Sequence, residues 1–305
     1  MGNNKGVSVC IFTYNYEKYL AEAIESVLAQ ETDFPVEIVI GDDCSSDDTR
    51  KIARQYAADH PGRFILSFNE TNIGGTRNWL RTMNQCNGKY IALLDGDDYF
   101  TDTRKLQKQY DALEHNPEYV LCFHGVEEKY DDIDGLDKIV VFEKEEYELE
   151  DFLRRGWFIR TGSTFFRNGI APVDPPEWVD NFPYRYDTIL HVFLCMHGKA
   201  LFIKDVMSVW RKHSKGMSKV LMDKVIQNIG TEIALAGELN KYTGFTYAGS
   251  VRSYIRDAYS DLFFRILRSK ERSRHLRELW KCMRNMNFAR SLQTVKRNLV
   301  GNKKA

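Results

Sequence analysis

Three carboxylates crowd into four positions at Asp95-Gly96-Asp97-Asp98, directly after the apolar run Tyr90-Ile91-Ala92-Leu93-Leu94. A buried strand needs the apolar run. Nothing in a fold needs the acids together, because like charges this close repel. A hard cation removes the repulsion, and oxygen ligands on a short turn suit Mg²⁺ or Mn²⁺, which keep positions open for phosphate oxygens. Other polar segments stand in the same relation to apolar runs. Thr13-Tyr14-Asn15-Tyr16 follows Val7–Phe12, and Gly41-Asp42-Asp43-Cys44-Ser45-Ser46-Asp47 follows Val36–Ile40. Asn69 to Gly75 follows Phe64–Phe68. Tyrosine, asparagine, aspartate and a cation together suit a ligand with a ring and phosphates.

The elements that must position these residues alternate in type. The short β-branched and aromatic runs at 7–12, 36–40, 64–68 and 89–94 read as buried strands. Between them, Leu20, Ala23, Ile24, Val27 and Leu28 recur at helical spacing within residues 17–30. Helices are also expected from Asp47, as a cap, to Asp59 and from about Thr76 to Gln85. Strands alternating with helices imply a mostly parallel sheet with right-handed crossovers, so the four polar loops converge on one sheet edge. A dinucleotide-binding Rossmann enzyme would need a Gly-x-Gly-x-x-Gly turn after the first strand, and a nucleotidyltransferase a glycine-rich loop there. Thr13 to Lys18 contains no glycine, and no Walker A loop is present.

These segments resemble the inverting family 2 glycosyltransferases of bacterial surface-polysaccharide type, which have the GT-A fold. Ser8 to Asn15 is similar to the family's opening strand and Thr-Tyr-Asn turn. Ile38 to Asp47 resembles its Asp-Asp-Gly-Ser motif, with Cys44 where glycine is usual. Asn72 to Asn78 resembles its Asn-x-Gly…Arg-Asn segment, and Asp95-Gly96-Asp97 its Asp-x-Asp motif. The resemblance implies a nucleotide site at Thr13, Tyr14, Asn15, Asp42, Asp43, Arg77 and Asp95. Tyr14 would stack on the base, and Asp43, in preference to Asp42, would accept from a base N–H. Asp97 would bind Mn²⁺ or Mg²⁺, with Asp95 as a further candidate, while Asp98 would support the turn.

In the second half, a helix is expected over 102–115, a strand over 119–123 and a variable hairpin or loop over 126–150. Thr161 to Arg167 resembles the strand under the family's acceptor. Asp187 stands at a helix start where the family has its catalytic carboxylate, the base that deprotonates the acceptor hydroxyl. Asp180 is its local competitor, with Glu177 behind. Val209 to Ser218 resembles the family's Tyr-Arg-x-His-x-x-Ser segment. It follows the strand expected at 198–203. His213 is thereby a candidate metal ligand, and Arg211, Lys215 and Ser218 candidate contacts to the diphosphate or acceptor. The implied donor is a nucleoside-diphosphate sugar, a UDP-sugar in preference. The implied acceptor is a glycan or a polyprenyl-diphosphate-linked glycan.

The 305 residues, 43% hydrophobic and 28% charged, suffice for a catalytic domain over 1–218 and an extension over 219–305. The domain divides into a nucleotide-binding half, 1–100, and an acceptor-binding half, 101–218. The extension reads as helices at 220–242, 251–268, 275–286 and 289–300. Net charge is zero, but residues 251–305 hold fifteen Lys and Arg against four acids, a net +11 balanced by −11 elsewhere. Such a tail suits an anionic membrane surface, which fits a lipid-linked acceptor. A nucleic-acid partner rests on this charge alone and is not expected. Oligomerisation is left open. Six scattered cysteines without a CxxC pair point to a reducing cytoplasm. No signal peptide or spanning segment is expected, so the chain would work at the inner face of the plasma membrane. A non-catalytic carbohydrate-binding or membrane scaffold is the alternative of a different class.

Overall fold

A computed structural model describes residues 6–268 and 275–286, without the side chains of Ser218, Met222, Asp223 and Arg268. The chain divides into two compact units, residues 1–152 with 157–219, and residues 153–156 with 220–305.

The first unit opens β1 (Val7–Thr13), α1 (Leu20–Leu28), β2 (Val36–Asp42), α2 (Thr49–Asp59), β3 (Phe64–Phe68), α3 (Gly75–Met83) and β4 (Tyr90–Asp95). It continues β5 (Tyr99–Phe100), α4 (Lys105–His115), β6 (Tyr119–Tyr130), β7 (Lys138–Val140), β8 (Glu146–Tyr147) and the start of α5 (Leu149–Arg155), whose residues from 153 on are counted with the second unit. Then come a 3₁₀ turn at Thr161–Ser163, β9 (Phe165–Arg167), a second at Glu177–Asn181, α6 (Tyr186–Cys195) and β10 (Lys199–Lys212). The strand order β3-β2-β1-β4-β9-β6-β10-β5 makes one mixed sheet, with β7 beside β6 and β8 beside β10. The half β3-β2-β1-β4 is parallel, as the strand–helix alternation requires. The antiparallel β9 joins it to the parallel pair β6–β10.

β1 is buried along its whole length. Its Val9 and Ile11 pack with Leu20, Ile24 and Val27 of α1 and with Ile38, Ile40, Ala92 and Leu94 of neighbouring strands. This core fixes the strand ends that carry the site.

The extents differ from expectation where tertiary contacts override local pattern. α1 begins at Leu20, because the Leu20 N–H donates to Tyr16 O and the preceding residues form a turn. β6 runs past residue 123 to Tyr130, pairing with β10 throughout. Of the hairpin or loop expected at 126–150, the first part is a hairpin, which begins as sheet in β6 and returns as β7. Glu128 is the reason its charge misleads: it is fully buried, paired to Arg160 and Lys212. β10 likewise extends to Lys212, which leaves His213 just beyond the strand end.

The expected helix over 220–242 is broken at Lys224 into α7 (Met217–Asp223), whose first three residues are counted with the first unit, and α8 (Val225–Tyr242) of the second. α9 (Ala248–Arg268) and α10 (Leu276–Asn285) follow. Ile229 of α8, Tyr259, Leu262 and Ile266 of α9, and Cys282 of α10 form a core of their own. Most of the apolar side of α9 is thus used in packing. The expected helix at 289–300 lies outside the described residues. Among those described, no helix is long and apolar enough to cross a membrane. All six cysteines are free.

Candidate active site

Register places the site residues before any side chain is considered. Thr13 pairs with Asp42, Phe12 with Asp95, and Asp42 with Phe68. Four parallel strands therefore end level, and their following loops share one edge. The Gly96 N–H donates to Phe12 O at 2.7 Å. A Cβ at Gly96 would meet that oxygen at 3.0 Å and the Thr13 side chain at 3.1 Å, so glycine lets the acidic turn close against β1 without pushing that strand end aside.

Three carboxylates of the turn have different neighbours. Asp98 Oδ1 accepts from the Arg211 N–H at 2.8 Å, which makes it a support of the turn. Asp97 Oδ2 lies 3.0 Å from His213 Nε2, although 116 residues separate them. Asp95 lies beside Asp97, Thr161 and Asp187. Burial first, and then the charges of Asp97 and Asp187, push it up to about 8 against the Thr161 hydrogen bond. Burial first, and then the charges of Asp97 and Asp95, hold Asp98 well above the usual carboxylate range. This is a site short of positive charge. His213 is fully buried, and its Nδ1 makes no hydrogen bond among the described residues. Thr13 Oγ1, also buried at this edge, makes none either.

These residues fit a divalent cation bound jointly with a ligand. Asp97 and His213 converge, Asp95 is adjacent, and the carboxylates carry unrelieved mutual repulsion. Among the described residues no group of three or more His, Cys, Asp or Glu is arranged to hold a metal ion by itself. A cation that must share its shell with phosphate oxygens needs none.

The first three loops are tied to one another. Asn15 takes a left-handed conformation (φ 57°), donates from its N–H to Ser45 Oγ, and accepts from the Ser46 N–H. Its side chain therefore fastens two loops. Asp42, fully buried, accepts from the Ser45 N–H and hydroxyl and from Arg50. Asp43 accepts from the Ile73 N–H at 2.8 Å, the Gly74 N–H at 2.9 Å and Asn69 Nδ2 at 3.1 Å. Of the two acids, Asp43 is the one whose carboxylate holds the loop opening α3. Tyr14 is 47% exposed at the end of β1.

Two basic candidates are engaged elsewhere. Arg77, on the exposed side of α3, pairs with Asp180. Arg211 is nearly buried: its Nε donates to Asp97 O at 3.0 Å, and its guanidinium pairs with Glu22 and lies 3.6 Å from Asp131. It braces the acidic turn from behind. Lys215 is exposed in the turn after His213, and Ser218 lies in the first turn of α7.

Asp187 opens α6, with its Oδ1 accepting from the Thr188 N–H at 2.7 Å and its Oδ2 from the indole N–H of Trp157. Burial raises it above the usual range, opposed by these donors and by Arg185. The start of α6 is located by aromatic contacts: Tyr186 meets Trp79 of α3 edge-on, and Trp79 stacks on Phe12 of β1 at 4.1 Å. Trp157 in turn packs edge-on against Trp210, with the Arg160 guanidinium 4.2 Å from one ring and 4.6 Å from the other. Asp180 lies on an exposed 3₁₀ turn, held by Arg77.

Sequence reasoning missed Trp157, Thr161, Tyr16 and Tyr19. The Tyr19 ring lies 4.4 Å from that of His213. Burial and the charges of Asp97 and Asp95 raise the Tyr16 hydroxyl well above its ordinary value. A local signal existed only for the tyrosines, in Tyr14-Asn15-Tyr16-Glu17-Lys18-Tyr19.

The chain is similar to known proteins. A family model described as Glycosyl transferase family 2 matches residues 8–169. Uncharacterized protein Rv1520 of Mycobacterium tuberculosis is 35% identical over 212 residues, 69% of this chain and 60% of that one. The match thus spans less than two thirds of that relative. Among solved structures, S. aureus TarS 1-349 in complex with UDP-GlcNAc aligns with a TM-score of 0.53 over 85% of this chain and 80% of that chain, at 19% identity. Mannosyltransferase PcManGT from Pyrobaculum calidifontis, in complex with GDP-Man and Mn2+, aligns with 0.53 over 84% and 74%, at 16% identity. These likenesses show a shared fold, the GT-A arrangement of a mixed sheet flanked by helices. With the strand ends level, the family's motifs on them and the family model over more than half of its residues, the chain belongs to glycosyltransferase family 2.

Proposed function

We propose that this chain is a metal-dependent inverting glycosyltransferase. It moves a sugar from a nucleoside-diphosphate sugar, a UDP-sugar first, to a hydroxyl of a glycan or lipid-linked glycan in surface-polysaccharide synthesis. Residues 1–218 are the catalytic domain and 219–305 a helical extension. The observation that carries this reading is the convergence of Asp97 and His213 at 3.0 Å beside Asp95, whose charge is coupled to that of Asp187.

In this reading Tyr14 offers its exposed ring to the base, and Thr13 Oγ1 and the Asp43 carboxylate bond the nucleoside. Asp97 and His213, with Asp95 adjacent, hold Mn²⁺ or Mg²⁺, which supplies neutralisation of the departing diphosphate. Asp187 takes the proton from the acceptor hydroxyl. Trp157 and the Thr188 N–H fix that carboxylate's direction. Lys215, exposed after His213, is placed to meet phosphate oxygens that emerge from the site. Arg211 acts on the turn rather than on the ligand.

The test is calorimetric titration of UDP and of GDP, with and without Mn²⁺, into wild type, Asp97→Ala and His213→Ala. The expected result is UDP binding that needs Mn²⁺ and is lost in Asp97→Ala and weakened in His213→Ala. Preference for GDP would change the donor class and keep the transferase. Absence of both would overturn the reading.

A further inference from the structure

From the arrangement of α10, we infer that the second unit carries a docking surface for an anionic lipid bilayer, made by one defined stripe of that helix. The inference deepens the membrane contact of the proposed function. It does not depend on which sugar the first unit transfers.

α10 has more apolar positions than its packing uses. Cys282 is fully buried, and Leu279 and Met286 pack beside it on the core shared with α8 and α9. Leu276, Trp280 and Met283 are 66%, 58% and 50% exposed. They stand at i, i+4 and i+7, so they form one continuous stripe next to the packed face. A tryptophan in such a stripe loses apolar burial that a packed helix would normally gain.

The border of the stripe is basic. Arg277, Lys281 and Arg284 follow one another along the edge opposite the packed face, and the Arg284 guanidinium lies 4.7 Å from the Trp280 ring centre. Glu278 is the sole acid of the helix. The chain beyond it, residues 287–305, adds Arg290, Lys296, Arg297, Lys303 and Lys304 and no acid.

Only one class of occupant suits all these groups together. A second copy of the chain would cover the apolar stripe but set like cations against each other. A nucleic acid would neutralise the cations and leave Leu276 and Met283 in water. An anionic bilayer takes the apolar side chains into its interfacial layer, keeps the indole at the headgroup level and places the cations beside lipid phosphates. No described helix can span, so this contact lies along the surface.

The experiment is co-sedimentation of the full chain with vesicles of phosphatidylcholine alone and of phosphatidylcholine with about one-third phosphatidylglycerol. Wild type is expected to bind the anionic vesicles and not the neutral ones. Trp280→Ser with Met283→Ser should weaken binding at least about tenfold. Removing Arg277, Lys281 and Arg284 together as glutamines should weaken it roughly a hundredfold, at about fivefold per cation. Both variants change exposed side chains, so thermal melting should match wild type. Three results would each overturn the inference. The first is that wild type ignores the anionic vesicles, and the second that the serine variant binds them as well as wild type. The third is that the serine substitutions only convert a dimer to a monomer in sizing. Duplex DNA binding that ignores the serine substitutions, without vesicle binding, would point to nucleic acid instead. UDP titration of the same variants keeps this outcome separate from the fate of the transferase reading.

Discussion

The indole N–H of Trp157 donates to Asp187 Oδ2 from thirty residues away along the chain, while Oδ1 accepts from the Thr188 N–H. With one lone-pair direction on each oxygen taken by a donor, the carboxylate is turned, and fewer directions remain for the acceptor hydroxyl of the proposed reaction. The indole is itself fixed between Trp210 and Arg160, whose guanidinium pairs with buried Glu128. Trp157→Phe keeps the stacking and removes the donor. A lost bond to a charged acceptor costs ~2 kcal/mol, so kcat should fall roughly thirtyfold. The KM for donor should hold, because the nucleotide groups are untouched. An equal fall in donor affinity would mean that Trp157 acts on the fold and not on the base.

Asp187 and Asp180 can be separated by substitution. Asp180 makes an exposed ion pair with Arg77, a contact of the kind that contributes about 0–1 kcal/mol. Asp180→Asn should leave turnover within about twofold. Asp187→Asn should reduce turnover by about a hundredfold or more while UDP still binds. Because burial raises Asp187 above the usual carboxylate range, its base form is lost on acidification sooner than for an ordinary aspartate. The kcat/KM profile of wild type should therefore fall on an acid limb above pH 3.8, and Asp180→Asn should share it.

Metal should matter to stability as well as to turnover. Asp95, pushed up to about 8, binds a proton more tightly folded than unfolded. Its contribution to the metal-free protein is fully present below its unfolded value near 3.8 and is lost as pH rises towards 8. Chelated protein should thus melt lower at pH 8 than at pH 6. Mn²⁺ competes with that proton, so its stabilisation should be larger at pH 8. At a hundredfold excess over its dissociation constant the effect is about 2.7 kcal/mol, a melting shift of several degrees. Melting curves with and without Mn²⁺ at the two pH values check the sign, and Asp97→Ala should abolish the difference.

The sequence showed the sheet edge well, because apolar runs that stop at polar loops report strand ends directly. Thr13, Asp43, Asp95 and Asp97 were found in that way. Asp42 and Asp43 look alike in sequence. Only the fold shows that Arg50 and Ser45 take the first, while the turn at Ile73 and Gly74 takes the second. Arg77 and Arg211 read as ligand contacts because their partners, Asp180 and Glu22, lie 103 and 189 residues away. Trp157 gave no signal, since a tryptophan beside a glycine does not reveal which carboxylate its N–H will meet. Glu128 was hidden by its setting: a buried acid in a charge-rich stretch looks like a solvated one until its cations arrive from residues 160 and 212.

Lys105 is fully buried on α4, with Nζ donating to Gln109 Oε1 at 2.7 Å and lying 3.9 Å from the centre of the Phe100 ring. Burial lowers it to about 7 from 10.5. The folded state therefore releases a proton that the unfolded state keeps between those values. Stability should rise with pH across that window, by at most about 1.4 kcal/mol per pH unit. Lys105→Met removes the titrating group and should flatten this rise. Urea midpoints at pH 7 and pH 9 for both proteins measure it; parallel slopes would place the effect in another group.

Cys44 adopts a left-handed conformation, φ 66°, in the loop that follows β2. An L side chain there crowds its own backbone, at a cost of roughly 1–2 kcal/mol that glycine avoids. The thiol recovers part of this through a contact to Glu70 O at 3.3 Å, a weak bond for sulfur. Glycine in turn loses more freedom on folding, about 0.5–1 kcal/mol. The strain is the largest of these three, so Cys44→Gly should raise stability by a few tenths of a kcal/mol up to about 1. The substitution leaves Asp43 and its bonds to residues 73 and 74 in place. UDP affinity should therefore not change while the melting temperature rises. A fall in both would show that the Cys44 side chain holds the loop and that the thiol contact outweighs the strain.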